Sequence, residues 1–145
     1  MTYEEIEQDL FHMPTDYILA HCIATDARMG AGIATQFVKR YKGLRPSLQS
    51  APRSIGDVVL YKKNNIDHKV FNLITKKYST DKPTRDAFNQ TILNLKGFVL
   101  EQDIRKIAMP LIGSGLDGLN WGESSAFIQD TFKDVDIDIV VCIKK

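Results

Sequence analysis

Apolar residues fall into short runs rather than one long periodic pattern. Five runs rich in β-branched and aromatic residues read as strands: Tyr17 to Ile23 (YILAHCI), Asp57 to Tyr61 (DVVLY), Val70 to Thr75 (VFNLIT), Ile107 to Pro110 and Ile137 to Ile143 (IDIVVCI). Tyr3 to Glu7 reads as a sixth. Between them lie three helical patterns, Gly32 to Tyr41, Thr84 to about Glu101, and Trp121 to Phe132. In the second, Phe88, Ile92, Leu95 and Val99 recur at spacings of three and four, which places them on one buried stripe. The third opens Asn120-Trp121-Gly122-Glu123, an Asn cap with a Glu three positions later, and its core face is expected at Ala126, Phe127 and Thr131. The interval from Gly43 to Gly56, with Pro46 and Pro52 inside it, reads as the one extended loop. Strands interleaved with helices, several of them continuously apolar, imply a sheet covered on both faces, an α/β/α sandwich.

Length and charge narrow this picture. At 145 residues and 16.4 kDa, with no linker or repeat, residues 1–145 read as one domain. The 43% hydrophobic and 26% charged content suits a folded globular chain, and no run approaches the roughly 18 apolar residues of a spanning helix, so no membrane partner is expected. The balance of 19 Lys+Arg against 18 Asp+Glu argues against affinity that comes from blanketing a nucleic-acid backbone. Any anion site must be local. Cys22 and Cys142 lie in apolar runs with no C-x-x-C pair or His cluster beside them, and read as buried free thiols rather than a disulfide or metal site. The start, Met1-Thr2-Tyr3-Glu4-Glu5, lacks the basic and apolar parts of a signal peptide, so an intracellular, cytoplasmic location is expected.

Two glycine-rich segments each stand between an apolar strand and a helix, Met29-Gly30-Ala31-Gly32-Ile33-Ala34 and Ile112-Gly113-Ser114-Gly115-Leu116-Asp117-Gly118. Without Cβ atoms the backbone brings successive N–H groups close to an oxyanion, and a following helix N-terminus adds partial positive charge. Such loops hold phosphates, or they simply make tight turns. A Rossmann fingerprint fails at Thr35, where Gly or Ala is required, and no P-loop string is present.

Four ordered blocks carry a more specific signal: Asp9-Leu10; Ala20-His21-Cys22-Ile23 leading through Asp26 to Arg28-Met29-Gly30-Ala31-Gly32-Ile33-Ala34; Leu73-Ile74-Thr75-Lys76-Lys77 followed by Lys82-Pro83-Thr84; and Met109-Pro110 leading to Gly113-x-Gly115-Leu116-Asp117 and Trp121. Together they resemble a macrodomain, and within that family the terminal ADP-ribose protein glycohydrolase group, which includes antitoxins that remove ADP-ribose from DNA. The resemblance implies a three-layer α/β/α fold on a mixed sheet of about six strands, and an ADP-ribose cleft at the carboxyl ends of the central strands. It implies that Asp9, with Leu10 beside it, meets the adenine amino group. The diphosphate and distal ribose would lie among Met29, Gly30, Ala31, Gly32, Ile33 and Thr75, and Leu111, Ile112, Gly113, Ser114, Gly115 and Leu116 on the other side. Lys76 would attack the anomeric carbon of that ribose and Asp117 would serve as its acid–base partner. A lysine is a nucleophile only when neutral, a state that burial favours and a neighbouring carboxylate opposes. Strand alternation sends Lys77 to the opposite face from Lys76.

The implied activity is removal of ADP-ribose from acidic protein side chains, or deacylation of O-acyl-ADP-ribose, without cofactor or metal. The alternatives are a non-catalytic ADP-ribose reader and a glycohydrolase acting on ADP-ribosylated DNA. For the latter, the cluster Lys39, Arg40, Lys42, Arg45 and Arg53 would steer nucleic acid; otherwise it is a solvated face. Three positions depart from the family pattern: Gln8 stands for a glycine, Ala24 for a polar residue and Leu111 for an arginine. His21 reads as a hydrogen-bonded strand residue, His12 and His68 as loop-borne.

Overall fold

The computed structural model describes residues 1–63 and 67–144. Six strands, β1 (Thr2–Glu7), β2 (Ile18–Ala24), β3 (Val58–Tyr61), β4 (Val70–Lys76), β5 (Lys106–Met109) and β6 (Asp138–Ile143), form one sheet in the order β1-β6-β5-β2-β4-β3. All neighbours run parallel except β3, which is antiparallel to β4, so the sheet is mixed. Helices α1 (Ile33–Arg40) and α2 (Leu44–Gln49) cover one face, α3 (Arg85–Gln102) and α4 (Trp121–Phe132) the other.

Strand alternation divides the core in two. Phe71 and Leu73 of β4 join Phe88, Ile92, Leu95, Val99, Ile128 and Phe132, while Val70 and Ile74 of the same strand join Phe37, Tyr41, Leu44 and Leu48. The stripe expected on α3 is buried in full, and Thr84 caps its start by accepting from the Ala87 amide. Two expectations are corrected. The interval after Gly43 contains α2: Leu44 and Leu48, four apart, are both buried, and Pro46 sits in the first turn, where its missing N–H has no helical partner to lose. On α4 the inward face is Ser124, Ser125, Ile128, Thr131 and Phe132, with Ala126 exposed and Phe127 partly buried. The serines face inward because they have polar partners there: Arg85 donates to the Ser124 hydroxyl at 2.9 Å, and Ser125 shares a 2.8 Å hydrogen bond with Tyr3.

The sheet opens in its middle. β2 pairs with β4 from Leu19 to Ala24, but with β5 only through Ile18–Ile107 and Leu19–Ala108. Beyond those two pairs β2 and β5 part. The chain leaves β2 toward β4 on one side and leaves β5 toward β6 on the other, the reversal at which parallel sheets leave a crevice at their carboxyl ends. Gly113, in the loop after β5, closes against α3: its φ is +73°, and an added Cβ would lie 2.8 Å from the Phe88 ring.

Beneath the first glycine loop, His21 is 0% exposed and stacks on Phe37 at 3.9 Å. The Asn72 amide donates to the carbonyls of Val59 and Val70, so its oxygen accepts from His21 Nε2, at 2.7 Å. Burial, partly offset by Asn72, pushes the His21 pKa down to about 4. Below pH ~6.5 the unfolded chain takes up a proton that the folded one refuses. The stability is therefore complete above that pH and falls toward pH 4, by on the order of 3 kcal/mol from this residue alone. Denaturant midpoints measured from pH 7.5 to 4.5 are expected to follow this slope, and His21→Phe to flatten it; an unchanged slope in the variant refutes the assignment. Gly113→Ala, strained in φ and overlapping Phe88, is expected to lose about 1–3 kcal/mol of unfolding free energy in the same assay.

Candidate active site

A cleft of about 660 Å³ occupies the crevice at the carboxyl ends of the central strands. Asp9, Leu10, Met29, Gly30, Ala31, Gly32, Ile33, Lys76, Leu111, Ile112, Gly113, Ser114, Gly115, Leu116 and Asp117 all line it. The sequence blocks, scattered over more than a hundred positions, thus meet on one surface.

Its first wall is the loop between β2 and α1. Ala27 and Met29 have positive φ of 47° and 53°, and Gly32, with φ 60° and ψ −149°, takes a conformation open essentially to glycine alone. Holding non-glycine residues there costs on the order of 1 kcal/mol each, so surrounding contacts must fix them. Asp26 supplies those contacts by accepting from the Arg28 amide at 3.1 Å and from the Ser79 amide and hydroxyl at 2.9 and 2.6 Å. Burial opposes the ionisation of Asp26, but these hydrogen bonds outweigh it and hold its pKa below the usual carboxylate value. The amides of Gly30 and Ala31 make no backbone hydrogen bond to another described residue, which leaves them for a ligand.

The second wall is the loop from Pro110 to Gly118. Lys82 donates to the Leu116 carbonyl at 2.7 Å and so ties this wall to the segment Ser79 to Lys82, which also lines the cleft. Leu116 is 70% exposed and reaches across to Gly32, whose added Cβ would sit 3.6 Å from its methyl group. Between the walls, Lys76 Nζ donates to Asp117 Oδ1 at 2.8 Å, with side-chain exposures of 14% and 15%. Each charge of a pair so shielded from water is compensated chiefly by the other.

The geometry of the β4 end explains which lysine points inward. Register shifts between Ile23 and Ala24, so that Ile23 faces Ile74 but Ala24 faces Lys76, leaving Thr75 as an extra residue on β4. Lys77 is exposed, with its ammonium 5.3 Å from the Tyr78 ring. Thr75 follows Phe71 and Leu73 at a spacing of two and so lies on the α3 face of β4. It is 1% exposed and does not line the main cleft; it closes the back of a smaller neighbouring recess.

At the other end, Asp9 accepts from the Phe11 amide at 2.9 Å and from Lys144 at 3.4 Å, and these bonds hold its pKa below the ordinary carboxylate value against partial burial. Lys144 and the Ser79 to Lys82 segment are cleft residues that sequence reading passed over. Lys82 lay within a quoted block; Lys144 carried no signal, because its partner Asp9 is 135 positions away. Both cysteines are free, and burial, reinforced by the Asp117 charge, raises the Cys22 pKa to about 12, so its thiol stays protonated. His68 follows a loop but is buried, bonded to the Met13 carbonyl at 2.7 Å and to Tyr41 at 3.1 Å. Three arginines of the basic cluster are engaged within the chain. Arg53 donates to the carbonyls of Thr25, Leu48 and Ala51, Arg45 to that of Arg28, and Arg40 faces Asp67. Among the described residues no group of three or more His, Cys, Asp or Glu could hold a metal, and no helix is long and apolar enough to cross a membrane.

Comparison with known proteins agrees with this geometry. The Macro domain family model matches residues 20–128. The chain is 38% identical over 136 residues to the human ADP-ribose glycohydrolase OARD1, covering 94% of this chain and 88% of that protein. It is 25% identical to a DNA ADP-ribosyl glycohydrolase of Thermus aquaticus, over 88% of this chain and 37% of that one. Its fold superposes on the macrodomain of Mycobacterium tuberculosis DarG with a TM-score of 0.90 at 24% identity, covering 97% of each chain, and on a Trypanosoma brucei macrodomain in complex with ADP-ribose with a TM-score of 0.78 at 10% identity, over 98% of this chain and 63% of that one. A crevice walled by two glycine loops at the switch point of a mixed six-stranded sheet, and a family model spanning most of that sheet, place the chain in the macrodomain family.

Proposed function

We propose that this protein is an ADP-ribosyl hydrolase that binds ADP-ribose in the cleft and cleaves an ester at its distal ribose. The substrates are ADP-ribose on acidic protein side chains and O-acyl-ADP-ribose. The observation that carries the reading is the Lys76–Asp117 pair, 2.8 Å apart and shielded from water between two glycine loops. The likeness to glycohydrolases over nearly the whole chain supports it.

In this reading Asp9 accepts from the adenine amino group, a match that guanine's carbonyl would not make. Leu10 lies beside it. Backbone amides of the Gly30 to Gly32 loop and of the Gly113 to Leu116 loop hold the diphosphate, which accounts for an anion site on a chain of net charge +1. Leu111 adds no charge, so backbone donors carry that task.

The reaction follows from where one proton sits. Its transfer from Lys76 to Asp117 leaves a neutral amine whose lone pair attacks the anomeric carbon. In the ester to an acidic side chain, whose acyl oxygen is bonded to the anomeric carbon itself, the anomeric C–O bond breaks as the new C–N bond forms, and its electron pair departs on the carboxylate of the acceptor. The resulting lysyl–ADP-ribose adduct is then attacked by water, Asp117 shuttling the protons, which breaks the C–N bond and restores Lys76. No cofactor or metal enters these steps.

Incubation with a glutamate-linked ADP-ribosylated protein tests the reading. Lys76→Ala is expected to lower ADP-ribose release by roughly 10³-fold or more. Asp117→Asn is expected to lower it by roughly 10²–10⁴-fold. Calorimetry on Lys76→Ala should find free ADP-ribose binding within about threefold of wild type, a change of less than 1 kcal/mol. Binding by the wild type without release assigns the chain to the readers instead, and undiminished turnover in Lys76→Ala removes that residue from the chemistry.

A further inference from the structure

Asp117 rides on a turn that has no anchor in the core. Gly115–Asp117 forms a single 3-10 turn with no buried residue, and its Leu116 is 70% exposed. The Gly118 amide closes the turn on itself by donating to the Gly115 carbonyl at 3.1 Å. Among the described residues, two hydrogen bonds tie the turn to the rest of the chain: Lys76 Nζ to Asp117 Oδ1 at 2.8 Å, and Lys82 Nζ to the Leu116 carbonyl at 2.7 Å. We propose that Lys82 is a positioning residue, which holds Asp117 in place while the lysyl–ADP-ribose adduct is hydrolysed, the half of the reaction in which Lys76 no longer does. The inference rests on the hydrolase reading above and goes beyond it by separating what aims the aspartate in each half.

Lys82 brackets Asp117 along the chain. Its ammonium holds the carbonyl one residue before the aspartate. One residue after it, Gly118 has φ +77°, and an added Cβ there would lie 3.5 Å from Lys82 Nζ and 3.8 Å from its Cδ. A single side chain thus lies against the backbone on both sides of the carboxylate. Its root is fixed in turn, because Pro83 is buried and its ring restricts φ, and Thr84 caps the 18-residue helix α3 by accepting from the Ala87 amide. The neighbouring Asp81 accepts from the Tyr78 amide at 3.1 Å rather than from Lys82.

The two ties act at different times. Before bond formation Lys76 aims the carboxylate itself, since the proton passes directly between them. Once Nζ is bonded to the anomeric carbon, Asp117 gives the proton it took to the departing acceptor carboxylate and becomes a carboxylate again. It must then meet a water instead of the nitrogen. As the water oxygen bonds to the anomeric carbon, one water proton passes to Asp117, and the C–N bond breaks with its electron pair returning to Nζ. The proton on Asp117 then returns to Lys76 and restores the pair. While the carboxylate faces water, the bond from Lys82 to Leu116 is the tie that remains, and a displacement of about 1 Å at such a group can slow a reaction on the order of 10²-fold.

The test uses Lys82→Met, which keeps the stem and removes the donor, and Lys82→Arg, which keeps a charged donor. On a glutamate-linked ADP-ribosylated protein, Lys82→Met is expected to lower kcat about 10- to 100-fold. Release of the acceptor in a single turnover should stay within about threefold of wild type, and intact-protein mass spectrometry of the quenched reaction should show enzyme carrying covalent ADP-ribose at a level raised about tenfold or more. Lys82→Arg should restore both readouts to within about threefold. Calorimetry should find free ADP-ribose binding within about threefold in both variants, which reports an intact cleft. If Lys82→Met does not fold, Lys82→Gln, one atom too short to hold the carbonyl, carries the same expectations. Unchanged kcat, slowed turnover without adduct, an acceptor release slowed as much as turnover, or no rescue by Lys82→Arg overturns the proposal. Weaker ADP-ribose binding with unchanged kcat also overturns it and assigns Lys82 to the ligand. Failure of the hydrolase reading itself looks different: Lys76→Ala would then retain turnover.

Discussion

The parting of β2 from β5 is the constraint from which the site follows. Two residue pairs hold these strands together, and every further pair that the sheet forgoes there becomes the floor of a crevice. Backbone groups released from a sheet must find other partners or stay wet. Here the strands lead at once into glycine-rich loops, whose amides can turn toward a ligand instead of toward a neighbouring strand. The two cores on either face keep the rest of the sheet rigid, so the opening stays local.

Placing the loops at a fixed distance is a separate task, and it falls to the segment from Ser79 to Lys82. Ser79 bonds to Asp26 at the root of the first loop and Lys82 to Leu116 on the second. Positive φ at Ala27 and Met29 is held by contacts of this kind rather than by local preference, whereas Gly32 adopts it freely. Because the same segment continues directly from β4, the position of Lys76 and the spacing of the walls are set by one stretch of chain.

Much of this was legible in the residues. Continuously apolar strands announced a sheet covered on both sides, and the stripe on α3 appeared where its spacing put it. What stayed hidden depended on contacts between distant positions. Pro46 reads as a loop residue until one sees that it occupies a helix's first turn. Ser124 and Ser125 were not among the expected core face of α4, and they turn inward because Arg85 and Tyr3 lie against them. Thr75 was expected in the ligand cleft on the resemblance, whereas alternation along β4 carries it, like Phe71 and Leu73, toward α3 and the neighbouring recess. Lys144 could not be paired with Asp9 from sequence at all.

Binding and turnover are separable in such a site. Backbone amides recognise ADP-ribose whatever the protonation of the residues between the loops, so a macrodomain cleft by itself serves a reader as well as a hydrolase. What distinguishes the two is whether a nucleophile can shed its proton without help from solvent. On the proposed reading the acceptor of that proton is Asp117, 2.8 Å from Lys76. The ammonium–carboxylate pair is also the form that an apolar wall tolerates, since each charge is compensated by the other.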